Sequence, residues 1–430
     1  MYDNITKLYK LENINSKIES LDTTIDGEVL TLHLKLLKDN ISCPLCQTYP
    51  MYFHGFRLKK LIHSVSLEHQ VKIAYYARRY RCKTCNKTIY ETNPFNQAYE
   101  RISLKTKLSI LDYLKETNHT FTDAAKLFNV SIQSVINIFD RHIEVRRRPL
   151  PEIISIDEVF TNKMNKYKYA CVLFDFEASK LIDLIATRHK NYLLEYFYRI
   201  PIKERDQVKV FIMDMWDSYK QVVSKCFPKA LIAIDSFHIV RNLNEAIKAI
   251  RIRVQNKYYL QKSKLEHNDM YYYMLKKFHY FFVKNYEDIY DGKIKIHKLN
   301  AYWHKSEILR YLLSINDELT EAYQLKERYR TFNLTADYET CEDELQVLIQ
   351  AFKNSKIDVY RAFGKTIDKW QQAIKNSFIR INGRRVSNGP IESTNSKIKT
   401  ITKTANGIRD FRRFRKKALY AINQDIPIKN

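Results

Sequence analysis

Between residues 151 and 235 the chain alternates short, continuously apolar runs with helical stretches, and no other feature constrains its fold as much. Two prolines in "RRRPLPEIISIDEVF" end a preceding helical pattern, after which "IISID", "YKYACVLFDFE" and "SKLIDLIATR" read as three strands in hairpin order. A helix, "NYLLEYFYRI", precedes the buried strand "VKVFIMD", and a second helix, "SYKQVVSKCF", leads to the strand "ALIAID". Strands that are apolar along their whole length, with helices between them, belong to a central sheet covered on both faces. Asp157 and Asp214 stand where two of these apolar runs stop. Functional groups in such sheets gather at strand ends, where the backbone opens to solvent.

The order β-β-β-α-β-α-β is that of a ribonuclease H-like fold. A lone Asp after a strand is ordinarily a turn residue or a helix cap, so neither acid argues for chemistry alone. Glu392 changes the reading. It lies in "NGPIESTNSKIKT", within a stretch from Phe378 to Lys417 that holds twelve Lys and Arg against two acids, Glu392 and Asp410. Pro390 at a first helical position makes Glu392 a first-turn acid, which the helix dipole favours without any ligand. That account is incomplete beside Asn395, Lys397 and Lys399, because Asn395 and Lys399 share the face of Glu392. Carboxylates from the first strand, the fourth strand and a late helix can share two hard, oxygen-seeking divalent ions, Mg²⁺ or Mn²⁺. Such ions activate a water or hydroxyl and stabilise the leaving oxygen of a phosphodiester, so an acid on a phosphate-binding surface is no contradiction. Asp217 competes with Asp214 for the second position. Asp214 is preferred because it ends the strand directly, while Asp217 starts a turn or caps the next helix. Glu158 and Asp175 read as neighbours rather than ligands.

The front of the chain carries two further modules. "CPLC" at Cys43 and Cys46 and "CKTC" at Cys82 and Cys85 are separated by 35 residues. Each pair puts two thiolates on one turn, and together they supply four tetrahedral ligands for a structural Zn²⁺. The run "VKIAYYARRYRC" has the β-type residues of a zinc-ribbon-like module, with a β-rich insertion filling the long gap. A redox pair, or four unrelated cysteines, is the alternative. His54, His63 and His69 are substitute ligands that four thiolates do not need, and Cys171, Cys226 and Cys341 read as buried side chains. Next, Leu104, Leu108, Leu111 and Leu114 recur at helical spacing, and "FTDAAKLFNVSIQSVINIFDRHIEV" reads as two helices about a turn. Ala124, Ala125, Leu127 and Phe128 pack the first, Asn129-Val130 makes the turn, and Ser131 caps the second. Ile132, Val135, Ile136 and Phe139 then face inward, leaving Gln133, Ser134 and Asn137 to read DNA as a helix-turn-helix does. Any small helical bundle contains such a pair, and the zinc module before it favours the DNA reading. Lys plus Arg number 73 against 48 acids, a net charge of +25, and a field of that sign attracts polyanions.

The opening "MYDNITKLYKLENINSKIES" has no apolar core and no apolar run is long enough to span a bilayer, so a cytoplasmic chain with no membrane partner is expected. From Val240 to Ile379 the sequence reads as helical throughout, an all-α insertion between the second acid and Glu392. Its Tyr-rich basic stretch suits a core, a dimer surface or a DNA clamp, and Trp303 and Trp370 read as helix-core residues.

Taken together, the CxxC pairs, the helix pair, "SIDE", "DMWDSYK", "FPKALIAIDSFHIVRNLNEAIKAIR" and "NGPIESTNSKIKTITKTANGIRDFRRFRKK" resemble a DDE-type bacterial insertion-sequence transposase of the ISL-three group. The resemblance covers nearly the whole chain. It implies an enzyme that cuts element ends and joins them to target DNA with Mg²⁺, using Asp157, Asp214 and Glu392 as its triad. "DSFH" is similar to an Asp-x-x-His signature found after the second acid in several such families, which adds Asp235 and His238 as accessory residues. Ser393 stands where the family motif usually has Gly. The implied partners are double-stranded DNA, as terminal inverted repeats and target, and further copies of the chain assembled on it at the bacterial nucleoid. Candidate DNA contacts are Gln133, Ser134, Asn137, Asn395, Lys397, Lys399, Arg412 and Arg413. The expected domains are a zinc-binding module over 1–100, a helix-turn-helix over 101–150, a catalytic fold over 151–240 and 380–430, and an all-helical insertion over 241–379. A catalytically silent DNA-binding regulator and a structure-specific nuclease are the competing functions.

Overall fold

The computed structural model describes residues 3–64, 70–97, 99–161, 166–261, 266–289, 292–404, 408 and 410–429; His69 lies outside them. The protein is a mixed α/β chain that divides into two compact units. One comprises Met1–Arg147, Phe160–Lys168 and Ser396–Asn430, and the other Arg148–Val159 and Tyr169–Asn395.

In the first unit, strands β1 (Ile18–Asp26), β2 (Val29–Leu36), β3 (Tyr52–Ile62), β4 (Gln70–Arg81) and β5 (Thr88–Tyr90) form one sheet in the order β1-β2-β4-β3, with β5 also on β4. Gly27, at φ +57°, makes the tight turn that brings Asp26 opposite Val29. Strand β2 alternates strictly, and Leu30, Leu32, Leu34 and Leu36 bury one face against Val71, Ile73 and Tyr75 of β4. Three helices follow, Leu104–Tyr113, Phe121–Leu127 and Ile132–His142. Each is capped by a hydroxyl: Ser103 accepts from the Thr106 N–H, Thr120 from Asp123 and Ser131 from Ser134. Asn129 takes the left-handed conformation at the turn, φ +50°. The inward face of the last helix is rotated from expectation. Val135, Ile138, Phe139 and His142 are buried, whereas Ile132 is exposed and Ile136 half-buried.

The C-terminal helix Phe411–Asn423 belongs to this unit. Its apolar stripe packs onto the three helices. Tyr420 donates its hydroxyl to the Leu111 carbonyl at 3.1 Å and stacks edge-on against Phe139 at 5.8 Å. Lys417, buried, donates to the carbonyls of Leu114 and Glu116, filling acceptors that the first helix leaves open at its C-terminus.

In the second unit, strands β6 (Ile153–Phe160), β7 (Tyr169–Asp175), β8 (Lys180–Ile185), β9 (Val210–Met213) and β10 (Leu231–Ile234) lie in the order β10-β9-β6-β7-β8. Strands β6, β9 and β10 are parallel, and β7 and β8 antiparallel. Alternate residues enter opposite cores. Ile154, Ile156, Phe211 and Met213 face one cluster, where Phe227 packs at 5.0 Å from Phe197 and 4.6 Å from Phe211. Ile153, Val210, Ile212 and Ala233 face another, closed by Phe176 and Val386. Both faces are therefore covered, as parallel strands require.

The insertion is not all-helical. Between its helices, Lys293–Ile296 and Ala301–His304 pair as an antiparallel hairpin. The sequence "KIKIHKLNAYWH" alternates with the two-residue period of a strand, and Asn300 turns in the left-handed region at φ +47°. The remaining insertion is helical and shares the larger core, with Trp370 buried and Trp303 packed against Tyr311 at 5.4 Å. Among the described residues no helix is long and apolar enough to cross a membrane.

Helices Cys341–Lys353 and Asp358–Lys369 approach most closely at Gly364, where a Cβ would meet the Lys353 nitrogen at 2.8 Å and the Phe352 Cβ at 3.0 Å. The intruding atom meets backbone, which cannot rotate aside. Gly364→Ala should therefore destabilise the protein by about 1–3 kcal/mol despite the better helix propensity of Ala. Thermal denaturation checks this, and a raised melting temperature would contradict it.

Candidate active site

Parallel pairing places three carboxylates in one row. Ser155 of β6 stands opposite Ile212 of β9, and Met213 opposite Ile234 of β10. Two residues on from the first pair come Asp157 and Asp214, and one residue on from the second come Asp214 and Asp235. The Asp235 N–H continues the ladder onto the Met213 carbonyl at 3.0 Å. Strand β6 runs past Asp157 to Phe160, so this acid lies within a strand rather than at its end, held there by the buried Val159. Asp214 follows β9 directly, and Asp235 precedes the helix Ser236–Leu260. One turn into that helix, His238 Nε2 lies 3.1 Å from Asp214 Oδ1 and 3.8 Å from Asp235 Oδ2. The first contact is not a hydrogen bond, and Asp214 Oδ1 is buried without a hydrogen-bond partner.

Burial governs the electrostatics of the row. Desolvation, then the Asp214 charge, pushes Asp157 up to about 7. Asp214 is also pushed up to about 7, by desolvation and then by Asp235 and Glu158, with Arg241 and the Asn388 side chain opposing. Asp235, 2% exposed, is raised by desolvation, with the Asn388 backbone N–H opposing. Ligand atoms of Asp214, Asp235 and His238 all lie within 4.8 Å of one another, a set into which Asp157 and Glu392 do not fall. Two of its oxygens, Asp214 Oδ1 and Asp235 Oδ2, are buried with no hydrogen-bond donor. Crowded, under-satisfied oxygens of this kind fit a divalent cation, whose charge removes the repulsion.

The late helix Gly389–Thr404 meets this row. Asn395 Nδ2 donates to Asp157 Oδ2 at 2.6 Å, and the Asn388 N–H donates to Asp235 Oδ1 at 3.3 Å. Glu392, exposed, stands one turn before Asn395 on the same face.

In the first unit a second ligand cluster forms. The Sγ atoms of Cys43 and Cys85 are 3.5 Å apart, those of Cys46 and Cys82 3.4 Å, and those of Cys46 and Cys85 3.5 Å. The two CxxC turns match: Gln47 and Asn86, each just after the second cysteine of its pair, both have φ +58°. Backbone N–H groups of Cys85 and then Thr84 lower the Cys82 thiol to about 6. All four sulfurs lie within one ion's reach. His63 is not among them; its ring bonds Ser103 Oγ and the Tyr9 carbonyl, each at 2.8 Å.

The sequence model of a transposase family, the DDE transposases of the ISL3 group, matches residues 154–418, well over half of the chain. The chain belongs to this transposase family. No curated protein matches it. The matched span of the transposase begins in β6, includes Asp157, Asp214, Asp235, His238 and Glu392, and ends in the C-terminal helix.

The other expected site residues fall in varied settings. Asn395 was expected at a DNA-facing surface; it is instead 5% exposed and turned onto Asp157, because its helix face packs on the sheet edge. Lys397, Lys399 and Arg412 are exposed. Arg413 pairs with Asp140 at 2.7 Å. Gln133 and Asn137 are exposed and bonded to each other at 2.8 Å, while Ser134 is half-buried with its hydroxyl 2.8 Å from Ser131. Ser134 and Asn137 border a 390 Å³ cavity with Arg101, Lys107 and Arg141. Asp217 starts the helix Asp217–Cys226 and pairs with Lys369 at 2.7 Å. Glu158 pairs with Arg188, and Asp175 accepts turn N–H groups from Glu177 and Ala178. Asn388 was missed by sequence reasoning, although an Asn directly before Gly-Pro at a helix start is a signal that could have found it.

A raised carboxyl pKa means that the folded state holds protons the unfolded chain has released, so stability falls as pH climbs from about 4 through about 7. With no divalent cation added, Asp214→Asn should therefore raise the melting temperature at pH 8, by about 2–4 °C for each kcal/mol recovered. It should change little at pH 4.5. Calorimetry at the two pH values checks this, and an equal shift at both would contradict it.

Proposed function

We propose that this transposase binds insertion-sequence ends, cleaves the phosphodiester bond there and joins the freed strand to target DNA. The observation that carries the reading is the row of Asp157 and Asp214 across parallel strands, with the helix of Glu392 bonded onto it through Asn395. Asp157, Asp214 and Glu392 would hold Mg²⁺ or Mn²⁺, with Asp235 and His238 in support. A bound pair of divalent ions supplies activation of water or a 3′-hydroxyl and stabilises the leaving oxygen. The protein's own part is positioning: a rigid sheet edge fixes two acids, and His238 stands 3.1 Å from one Asp214 oxygen. Exposed Lys397 and Lys399 would neutralise phosphates flanking the reacting one.

The strand order, with β9 and β10 parallel to β6, supports a ribonuclease H-like catalytic fold carrying the mostly helical insertion. In the first unit, the capped helices on either side of Asn129 support a helix-turn-helix that presents Gln133, Ser134 and Asn137 to DNA. The four converging sulfurs support a structural Zn²⁺ there. Joining two ends requires at least two copies on DNA, so we read the active form as a homo-oligomer, at the nucleoid.

Asp214→Asn and Glu392→Gln should each lower end cleavage by roughly 10²–10³-fold while leaving end binding intact. A nicking assay on labelled end DNA with Mg²⁺, beside fluorescence anisotropy, measures both, and wild-type cleavage by both variants would overturn the reading. Elemental analysis of protein purified without chelator should find about one zinc per chain, lost in Cys82→Ser with partial unfolding of the first unit.

A further inference from the structure

Glu392 and Asn395 stand one turn apart on the helix Gly389–Thr404, and Asn388 directly precedes that helix. The two asparagines bracketing the glutamate are buried, at 0% and 5% exposed. Each reaches a different acid of the row. The backbone N–H of Asn388 donates to Asp235 Oδ1 at 3.3 Å, while its side chain bonds nothing. The Asn395 amide donates to Asp157 Oδ2 at 2.6 Å.

Neither asparagine is explained by helix stability or packing. Asn388 occupies the N-cap position, and its carbonyl accepts the Glu392 N–H at 3.0 Å. A capping Asn would also accept a backbone N–H with its side-chain oxygen. Here Oδ1 accepts nothing, and Nδ2 is likewise without a hydrogen-bond partner. Oδ1 of Asn395 is buried and unpaired as well. Orphaned buried amide atoms cost folding free energy and persist where they serve another purpose. The other end of the Asn395 amide is directed at a carboxylate, that of Asp157.

We propose that Asn395, through its side-chain amide, is a positioning residue that clamps the start of the helix Gly389–Thr404 to the sheet edge, beside the backbone N–H of Asn388. They fix its rotation and axial register, so that Glu392 is delivered to the Asp157–Asp214 end of the row. The clamp acts through Glu392 and rests on the reading of this row as the metal-holding site of a transposase.

The test uses the full-length protein, with Mn²⁺ affinity measured by electron paramagnetic resonance, end cleavage, end binding and melting temperature. Asn395→Leu keeps much of the side-chain volume and removes the amide that holds Asp157, whereas Asn388→Leu removes only an unpaired amide and keeps the N–H on Asp235. Asn395→Leu should weaken Mn²⁺ binding by roughly 10–100-fold and lower kcat, with end binding unchanged, and Asn388→Leu should change neither. Asn388→Leu should leave the melting temperature equal or higher, because it removes an unpaired buried amide. A residue that merely stabilises the fold would show the opposite pattern. Because the clamp works through Glu392, adding Asn395→Leu to Glu392→Gln should lower cleavage no further than Glu392→Gln alone. Wild-type Mn²⁺ affinity and cleavage in Asn395→Leu would overturn the clamp while leaving the transposase reading intact. Unfolding of Asn395→Leu would assign its amide to packing and also overturn it. Failure of the wild-type protein to bind Mn²⁺ or cut would remove the reading on which the clamp rests.

Discussion

Like charges held side by side in a water-poor place repel, and the second unit is organised around such a place. Parallel pairing of β6, β9 and β10 forces Asp157, Asp214 and Asp235 into one row, because register leaves the side chains no freedom to spread along the strands. Apolar cores on both faces of the sheet then limit the water that reaches them. The result is visible in Asp157 and Asp214, both pushed up to about 7, far above an ordinary aspartate. A fold selected for stability alone would have replaced one of these acids with an apolar residue. Retaining all three makes sense if a cation is meant to sit among them.

The surroundings of the row are consistent with that demand. His238 lies against Asp214, and buried amides rather than further charges approach from the late helix. The strongly basic character of that helix appears only farther along it, at exposed Lys397 and Lys399, where phosphates rather than carboxylates would be met. Within sixteen residues the helix thus changes from a partner of acids to an exposed basic face. In the first unit the same economy of charge holds for the four thiols. They are gathered by two matching turns, and backbone N–H groups already favour the thiolate of Cys82.

Much of this was legible in the sequence, for identifiable reasons. The strands of the second sheet announced themselves because buried parallel strands are apolar throughout, and Asp157 and Asp214 stood out as breaks in that pattern. The CxxC pairs and the Ser131 cap depend on chemistry local to a few residues. What escaped was tertiary. Asn395 looked like a surface polar residue, since nothing in "ESTNSKIK" tells which side of the helix meets the sheet. Ile132 sits at the right spacing for a core, but Ile138 and His142 fill the inward face, and a rotation of one residue's width is invisible to periodicity. The hairpin at residues 293–304 was lost among helices because each of its strands has only four residues. The partnership of Tyr420 with Leu111 joins positions three hundred residues apart, beyond any local signal.

The central claim is that the crowded carboxylates exist to hold divalent ions. Crystals of the protein grown with Mn²⁺ and measured at the manganese absorption edge test it directly. Anomalous density coordinated by Asp157 and Asp214 is the predicted result. Density confined to surface carboxylates, with the row of strand acids left bare at millimolar Mn²⁺, would contradict the account.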